Sequence, residues 1–288
     1  MGHLAEDTTI EPAGDGLFRA KLCSDWALMG PNGGYLAAVA LRAAQQTLSL
    51  PRPASLSCQF LSPPRFGYVD LAVVTLRATR RAAAARVSMT QFGRPVLEAM
   101  VWAAHDGLTG PDGPWTPMPE VPGPDELPDL RELLEAEGRG VPPWHDCVTL
   151  RELAGRTTLE TPAPVAFSWA RFQPQATFDD PWLDACRSVI LVDSLQWPAV
   201  MNAFPELETQ LFAPSIDLYV AFHDSAPGDE WLLVNAAGVA SHRGVLGGAA
   251  QVWAPDGRLV AAGMQQMLST STRRGAAMAP RQVQPTRS

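Results

Sequence analysis

Asp193 interrupts an otherwise apolar run, Val189-Ile190-Leu191-Val192-Asp193-Ser194-Leu195, and Ser215-Ile216-Asp217 follows it. A carboxylate where an apolar stretch turns into a helix has two uses. It can cap the helix by accepting its free N–H groups, it can take a proton as a general base, and one residue can do both. The layout occurs earlier with an amide in the acid's place. Gly30-Pro31-Asn32-Gly33-Gly34 leads into Tyr35, Leu36, Val39, Ala40 and Ala43 at helical spacing. Ser55 follows Asn32 at nearly the interval that separates Ser215 from Asp193, and the stretch from Gly93 to Val101 aligns without a gap with that from Gly257 to Gln265. The chain reads as an internal duplication of a helix followed by a meander of strands. Its two copies differ at the residue that could act as a base.

The elements that must position these groups follow from the local pattern. In the first copy, a strand over Gly16–Leu22 leads to a helix from about Pro31 to Leu48 that ends before Pro51. The many alanines of that helix would let a sheet wrap closely around it. Strands are expected at about Ala54–Leu61, Val69–Thr79, Ala84–Gln91 and Pro95–Ala104. In the second copy, a strand at Val165–Phe172 is followed by a loop at Asp179–Asp184, with Asp180-Pro181 in it, and a helix from about Asp193 with Pro198 in its second turn. Strands follow at about Ser215–His223, Trp231–Ser241, Gly247–Ala254 and Leu259–Leu268, and Pro255-Asp256-Gly257 turns the last pair. Trp102, Trp169 and Trp253 fall inside strands and are expected in the core. The sequence thus divides into a first unit over 1–105, a proline-rich linker over 106–163, a second unit over 164–270 and a disordered tail over 271–288. The linker should stay extended and outside the core, apart from a short surface helix between Leu127 and Glu137.

Composition bounds what the chain can be. With 46% hydrophobic and 18% charged residues among 288, it can bury a substantial core. A formal charge of −8 argues against nucleic acid or anionic membrane as a partner. No stretch approaches the ~20 apolar residues of a membrane span, and the first ten residues do not resemble a secretion signal. Cys23, Cys58, Cys147 and Cys186 lie far apart and suit a reducing, cytoplasmic setting. No zinc-protease, nucleophile-elbow or P-loop pattern is present. His223 and His242 stand alone in strand or turn context. Arg171, Arg187 and Arg243 could meet phosphates, although surface ion pairing is the plainer role for each.

Taken together, the order of elements resembles the hot-dog fold, an α+β arrangement in which an antiparallel sheet wraps a long central helix, here as a tandem (double) hot-dog. More specifically, the chain resembles the TesB-like acyl-CoA thioesterases, or acyl-CoA thioesterase II. The resemblance rests on Asn32-Gly33-Gly34-Tyr35-Leu36, Ser215-Ile216-Asp217, Phe222-His223, Glu230-Trp231-Leu232-Leu233, Ser241-His242-Arg243-Gly244 and Gly257-Arg258-Leu259-Val260-Ala261 leading to Gln265. It implies a catalytic set of an acid, a hydroxyl and an amide, carried by position onto Asp193, Ser215 and Gln265. Ser215 stands where the best-known member has Thr.

That resemblance implies hydrolysis of acyl-CoA to free CoA and a carboxylic acid by an activated water, in a homo-oligomer of lipid metabolism without metal or organic cofactor. Asp193 would accept the proton while Ser215 and Gln265 hold the water. Backbone N–H groups at Gly33-Gly34 or at the Asp193-Ser194 turn would face the oxyanion, and Asn32, Gly33, Gly34 and Arg243 would contact substrate. The first copy has Asn32, Ser55 and Val101 at the matched places, so one working site per chain is expected. Two alternatives remain open: a hot-dog enoyl-CoA hydratase, which needs a histidine beside its acid, and a non-catalytic acyl-CoA or acyl-binding protein.

Overall fold

The computed structural model describes residues 2–113, 115–153 and 163–272. The expected tail from 273 onward therefore lies outside the described residues. A short helix α1 (Leu4–Asp7) and strands β1 (Glu11–Gly14) and β2 (Leu17–Leu22) precede the central helix α2 (Gly33–Gln45). Asn32 caps α2 by accepting the Tyr35 N–H at 2.8 Å. The alanines of α2 do what the sequence suggests: Ala37, Ala38, Ala40, Ala43 and Ala44 are all fully buried. A meander of β3 (Arg52–Phe60), β4 (Gly67–Ala78), β5 (Ala82–Gln91) and β6 (Arg94–Ala104) wraps that helix.

The proline-rich stretch departs from its expected role. It carries helix α3 (Leu130–Ala136), but then also strand β7 (Val148–Leu153), which pairs with β8 (Val165–Phe172) at the sheet edge. Trp144, Cys147, Val148 and Leu150 join the main core. Proline density ends at Pro143 and the apolar residues after it alternate, so this part of the stretch pairs and packs as an ordinary edge strand.

The second central helix is the main correction. It is α4 (Pro181–Ser194), followed at once by α5 (Gln196–Asn202). Asp180 is its N-cap, accepting the Trp182 N–H at 3.0 Å, and Pro181 takes the first helical position. The expected loop at Asp179–Asp184 is therefore the start of the helix, and Asp193 lies near its end. Pro198 explains the break: it has no N–H to offer the Ser194 carbonyl one turn back, and its ring crowds that carbonyl. After α5 come β9 (Leu211–Phe212), β10 (Asp217–Phe222), β11 (Trp231–His242), β12 (Val245–Trp253), β13 (Leu259–Leu268) and β14 (Thr270–Ser271), with β9 and β14 forming a small separate pair.

The twelve remaining strands make one sheet in the order β1-β2-β4-β5-β6-β3-β10-β13-β12-β11-β8-β7. The first copy contributes β1 to β6, the second contributes β8 and β10 to β13 with β7 of the intervening stretch at their edge, and the halves join where β3 pairs antiparallel with β10. This is a double hot-dog with α2 and α4 packed antiparallel inside. Gly34 makes their approach possible, since a Cβ there would sit 2.7 Å from Ile190 Cα. At the far end, Arg42 and Gln45 of α2 reach Asp180. Trp169 and Trp253 are buried as expected, whereas Trp102 is 39% exposed on the outer face of β6. Among the described residues, no helix is long and apolar enough to cross a membrane.

Candidate active site

The helix break after Ser194 delivers Asp193 to the N-terminus of the opposing helix. Asp193 Oδ2 accepts the Gly34 N–H at 2.7 Å, and Asn32 Nδ2 donates to Ser194 Oγ at 3.0 Å. At the end of its own helix, a carboxylate faces the negative end of the helix dipole. The positive end of α2, and a direct hydrogen bond, oppose that field. Asp193 therefore meets a helix N-terminus after all, but that of the other copy.

Two strands of the second copy complete the cluster. Ser215, just before β10, bridges to Met267 of β13, and this pairing brings it alongside Gln265. Ser215 Oγ lies 2.9 Å from Asp193 Oδ1 and 3.1 Å from Gln265 Oε1, while Gln265 Nε2 donates to the Asp193 carbonyl at 3.0 Å. The structure thus brings Asp193, Ser215, Gln265, Asn32, Gly33 and Gly34 together. Arg243 is set apart from them: it stands exposed at the β11–β12 turn with φ at +50°, and among the described residues none of the cluster's hydrogen bonds involves it.

Asp193 and Gln265 are only 7% and 3% exposed. Loss of water raises the Asp193 carboxyl from 3.8 to about 6, against the lowering effect of the Ser215 and Gly34 hydrogen bonds. A buried acid near 6 is largely ionised at neutral pH and still takes up a proton readily. The hydroxyl proton of Ser215 adds a second constraint. Both of its neighbours are acceptors, and a hydroxyl has one proton to give. With Asp193 ionised, that proton goes to the carboxylate, and Gln265 Oε1 is left to accept from another donor. The cluster can therefore hold a water between an ionised acid and an amide oxygen.

Other residues have structural roles. Asp217 Oδ1 accepts the Gln266 N–H at 2.7 Å. Arg187 is buried against Asp184 and clamps the carbonyls of Ala176, Ala226 and Asp229. Arg171 pairs with Glu230 at 3.0 Å. Among the described residues, no histidine hydrogen-bonds to Asp193, Ser215 or Gln265, which removes the feature a hot-dog hydratase needs. No motif marks the Ser194 hydroxyl as a partner of Asn32, or the buried Gln196.

Residues 22–104 match the family model of the acyl-CoA thioesterase N-terminal domain, and residues 119–269 that of the acyl-CoA thioesterase C-terminal domain. Three solved structures resemble the whole chain. A protein of hot dog fold from Alicyclobacillus acidocaldarius has a TM-score of 0.79 at 22% identity, covering 94% of this chain and 99% of that one. An acyl-CoA thioesterase II from Mycobacterium marinum has a TM-score of 0.77 at 21% identity, covering 93% and 98%. A tesB protein from Mycobacterium avium subs paratuberculosis has a TM-score of 0.72 at 25% identity, also covering 93% and 98%. No curated protein sequence matches the chain.

Proposed function

The chain belongs to the acyl-CoA thioesterase family, and from that premise we infer that the cluster at Asp193 hydrolyses an acyl-CoA thioester to free CoA and a carboxylic acid. The observation that carries the assignment of the site is Ser215 Oγ, held between the Asp193 carboxylate and the Gln265 amide oxygen. Asp193 is the general base, and Ser215 and Gln265 orient the water.

The water oxygen attacks the thioester carbon as its proton passes to Asp193. The carbonyl oxygen becomes an oxyanion, to which we assign the Gly33 N–H at the start of α2, a donor that none of the hydrogen bonds above uses. Asn32 fixes that end of the helix through Ser194 and Tyr35. Collapse breaks the C–S bond, and the proton held by Asp193 returns to the departing thiolate. No nucleophilic side chain is needed, because a thioester is already a reactive acyl donor. General-base help of this kind is typically worth ~10²–10⁴-fold.

The first copy, residues 1–105, serves as scaffold and supplies the α2 end of the site; the second, 164–270, supplies the base. Arg243 is assigned to the CoA end, where its charge in solvent suits a phosphate. Four free cysteines favour a cytoplasmic setting, and the acyl-CoA substrate inferred above favours a role in lipid metabolism. A second copy of the chain is the partner proposed for the outer sheet face, where Met100 and Trp102 of β6 and, across β3, Tyr219 of β10 and Met264 of β13 stand exposed; analytical ultracentrifugation would find a dimer or larger, and a monomer at all concentrations would remove this part. The function itself is tested by thiol release from a panel of short, long and aromatic acyl-CoAs. Free CoA and free acid should appear in equal amounts. Binding without release would leave only an acyl-binding role.

A further inference from the structure

Gln196, the first residue of α5, is fully buried. Its Nε2 donates to the Val192 carbonyl at 2.9 Å, which fixes the amide's orientation, and its Oε1 meets no donor among the described residues. A buried acceptor without a donor is destabilising, so its retention calls for a partner. The surroundings indicate where that partner sits. A Cβ on Gly248 would lie 2.5 Å from Gln196 Oε1, so the glycine leaves room for the amide against the sheet. Gly248 of β12 pairs directly with Gln265 of β13, and paired residues in an antiparallel ladder project from the same face, their Cβ atoms about 5 Å apart. The unpaired oxygen is therefore a near neighbour of the Gln265 side chain.

Two residues further along the same pair of strands, Leu246 pairs with Met267. Both belong to an apolar cluster with Val200 and Met201 of α5. CoA is large and charged and must reach the thioester from solvent. A fully buried acceptor beside an apolar wall belongs to the opposite end, where the acyl group lies. Building on the thioesterase reading, we propose that Gln196 is a specificity residue whose Oε1 accepts a hydrogen bond from a donor on the acyl group close to the thioester carbon, so that hydroxyacyl thioesters are favoured over unsubstituted ones of equal length. A site with a buried acceptor discriminates against the analogue that lacks the donor, since that analogue leaves the acceptor unpaired.

The test compares kcat/KM for matched pairs, 3-hydroxyacyl-CoA and the unsubstituted acyl-CoA, at four, eight and twelve carbons. The wild type should favour the hydroxylated member by about tenfold at its preferred length. Gln196→Met, which keeps the volume and removes the acceptor, should bring the ratio close to one. Gly248→Ala displaces the same oxygen from the sheet side and should do likewise, so a folding failure of one variant leaves the other to decide. Equal rates for each pair in the wild type would overturn the inference while leaving the thioesterase reading in place. So would an unaltered ratio in the variants, the pattern expected if Gln196 instead met an N–H of the CoA arm. Failure of the wild type to release thiol from any member would remove both.

Discussion

Replacing Asp193 with Asn should change how stability depends on pH, by an amount the structure sets. Burial moves this carboxyl from 3.8 to about 6, so ionising it is about 3 kcal/mol harder in the folded chain than in the unfolded one. Between those two values the folded state holds the proton and the unfolded state releases it. Stability from this group is therefore complete at low pH, falls as pH rises through the interval, and is lost above about 6. At pH 8 the wild type carries nearly the whole penalty of about 3 kcal/mol, and by pH 5 about half of it is relieved. Asn has no such titration, and its amide can still accept from Gly34 or Ser215. Urea unfolding of both proteins at pH 5 and pH 8 gives the double difference, in which the other carboxylates cancel. The advantage of Asp193→Asn over wild type should be larger at pH 8 by about 1–2 kcal/mol. A difference that does not vary with pH would refute the claim that Asp193 is buried and perturbed in the folded protein.

The same group should set the acid limb of the rate: kcat/KM is level above about pH 6 and falls tenfold per pH unit below it, as a pH profile over 4.5–8 would record. Ser215→Ala should lower kcat about 10²-fold and, by removing a hydrogen bond that lowers the Asp193 pKa, shift that limb to higher pH; Ser215→Thr keeps the hydroxyl and should retain most activity. Gly34→Ala places a Cβ 2.7 Å from the Ile190 backbone and 3.0 Å from Asp193 Cβ. It should destabilise the chain by about 1–3 kcal/mol in denaturant unfolding as the two helices are forced apart.

The strands were the legible part of this sequence. Those of both copies alternate or carry β-branched runs between turns such as Pro255-Asp256-Gly257, and β8 and β13 occupy their expected residues. The second central helix was not legible, and enclosure is the reason. All twelve residues from Trp182 to Asp193 are buried in α4, so no polar face marks a helical period, and Val189-Ile190-Leu191-Val192 reads as an apolar run of any kind. The one local signal, Asp180 as cap with Pro181 at the first position, is an Asp-Pro pair that suits a loop equally well.

The same Asp-Pro pair marks where the repeat truly falls. The residue that caps the second helix as Asn32 caps the first is Asp180, not Asp193. Asn32 and the Asp193-Ser194 pair are instead opposite ends of two antiparallel helices that meet in space. The cluster of Asp193, Ser215 and Gln265 came from family resemblance, since nothing in the spacing of an acid, a hydroxyl and an amide tells that they converge. The Gln196 acceptor needed the structure, because its meaning lies in the absence of a partner and in the glycine opposite it.

The central claim is that Asp193 activates the water that cleaves the thioester, and the most direct test is single-turnover release of CoA by wild type and Asp193→Asn at pH 8, with acyl-CoA binding measured in parallel. The variant should still bind acyl-CoA and lose ~10²–10⁴-fold in the rate of release. A variant that binds and releases CoA as fast as the wild type would contradict it.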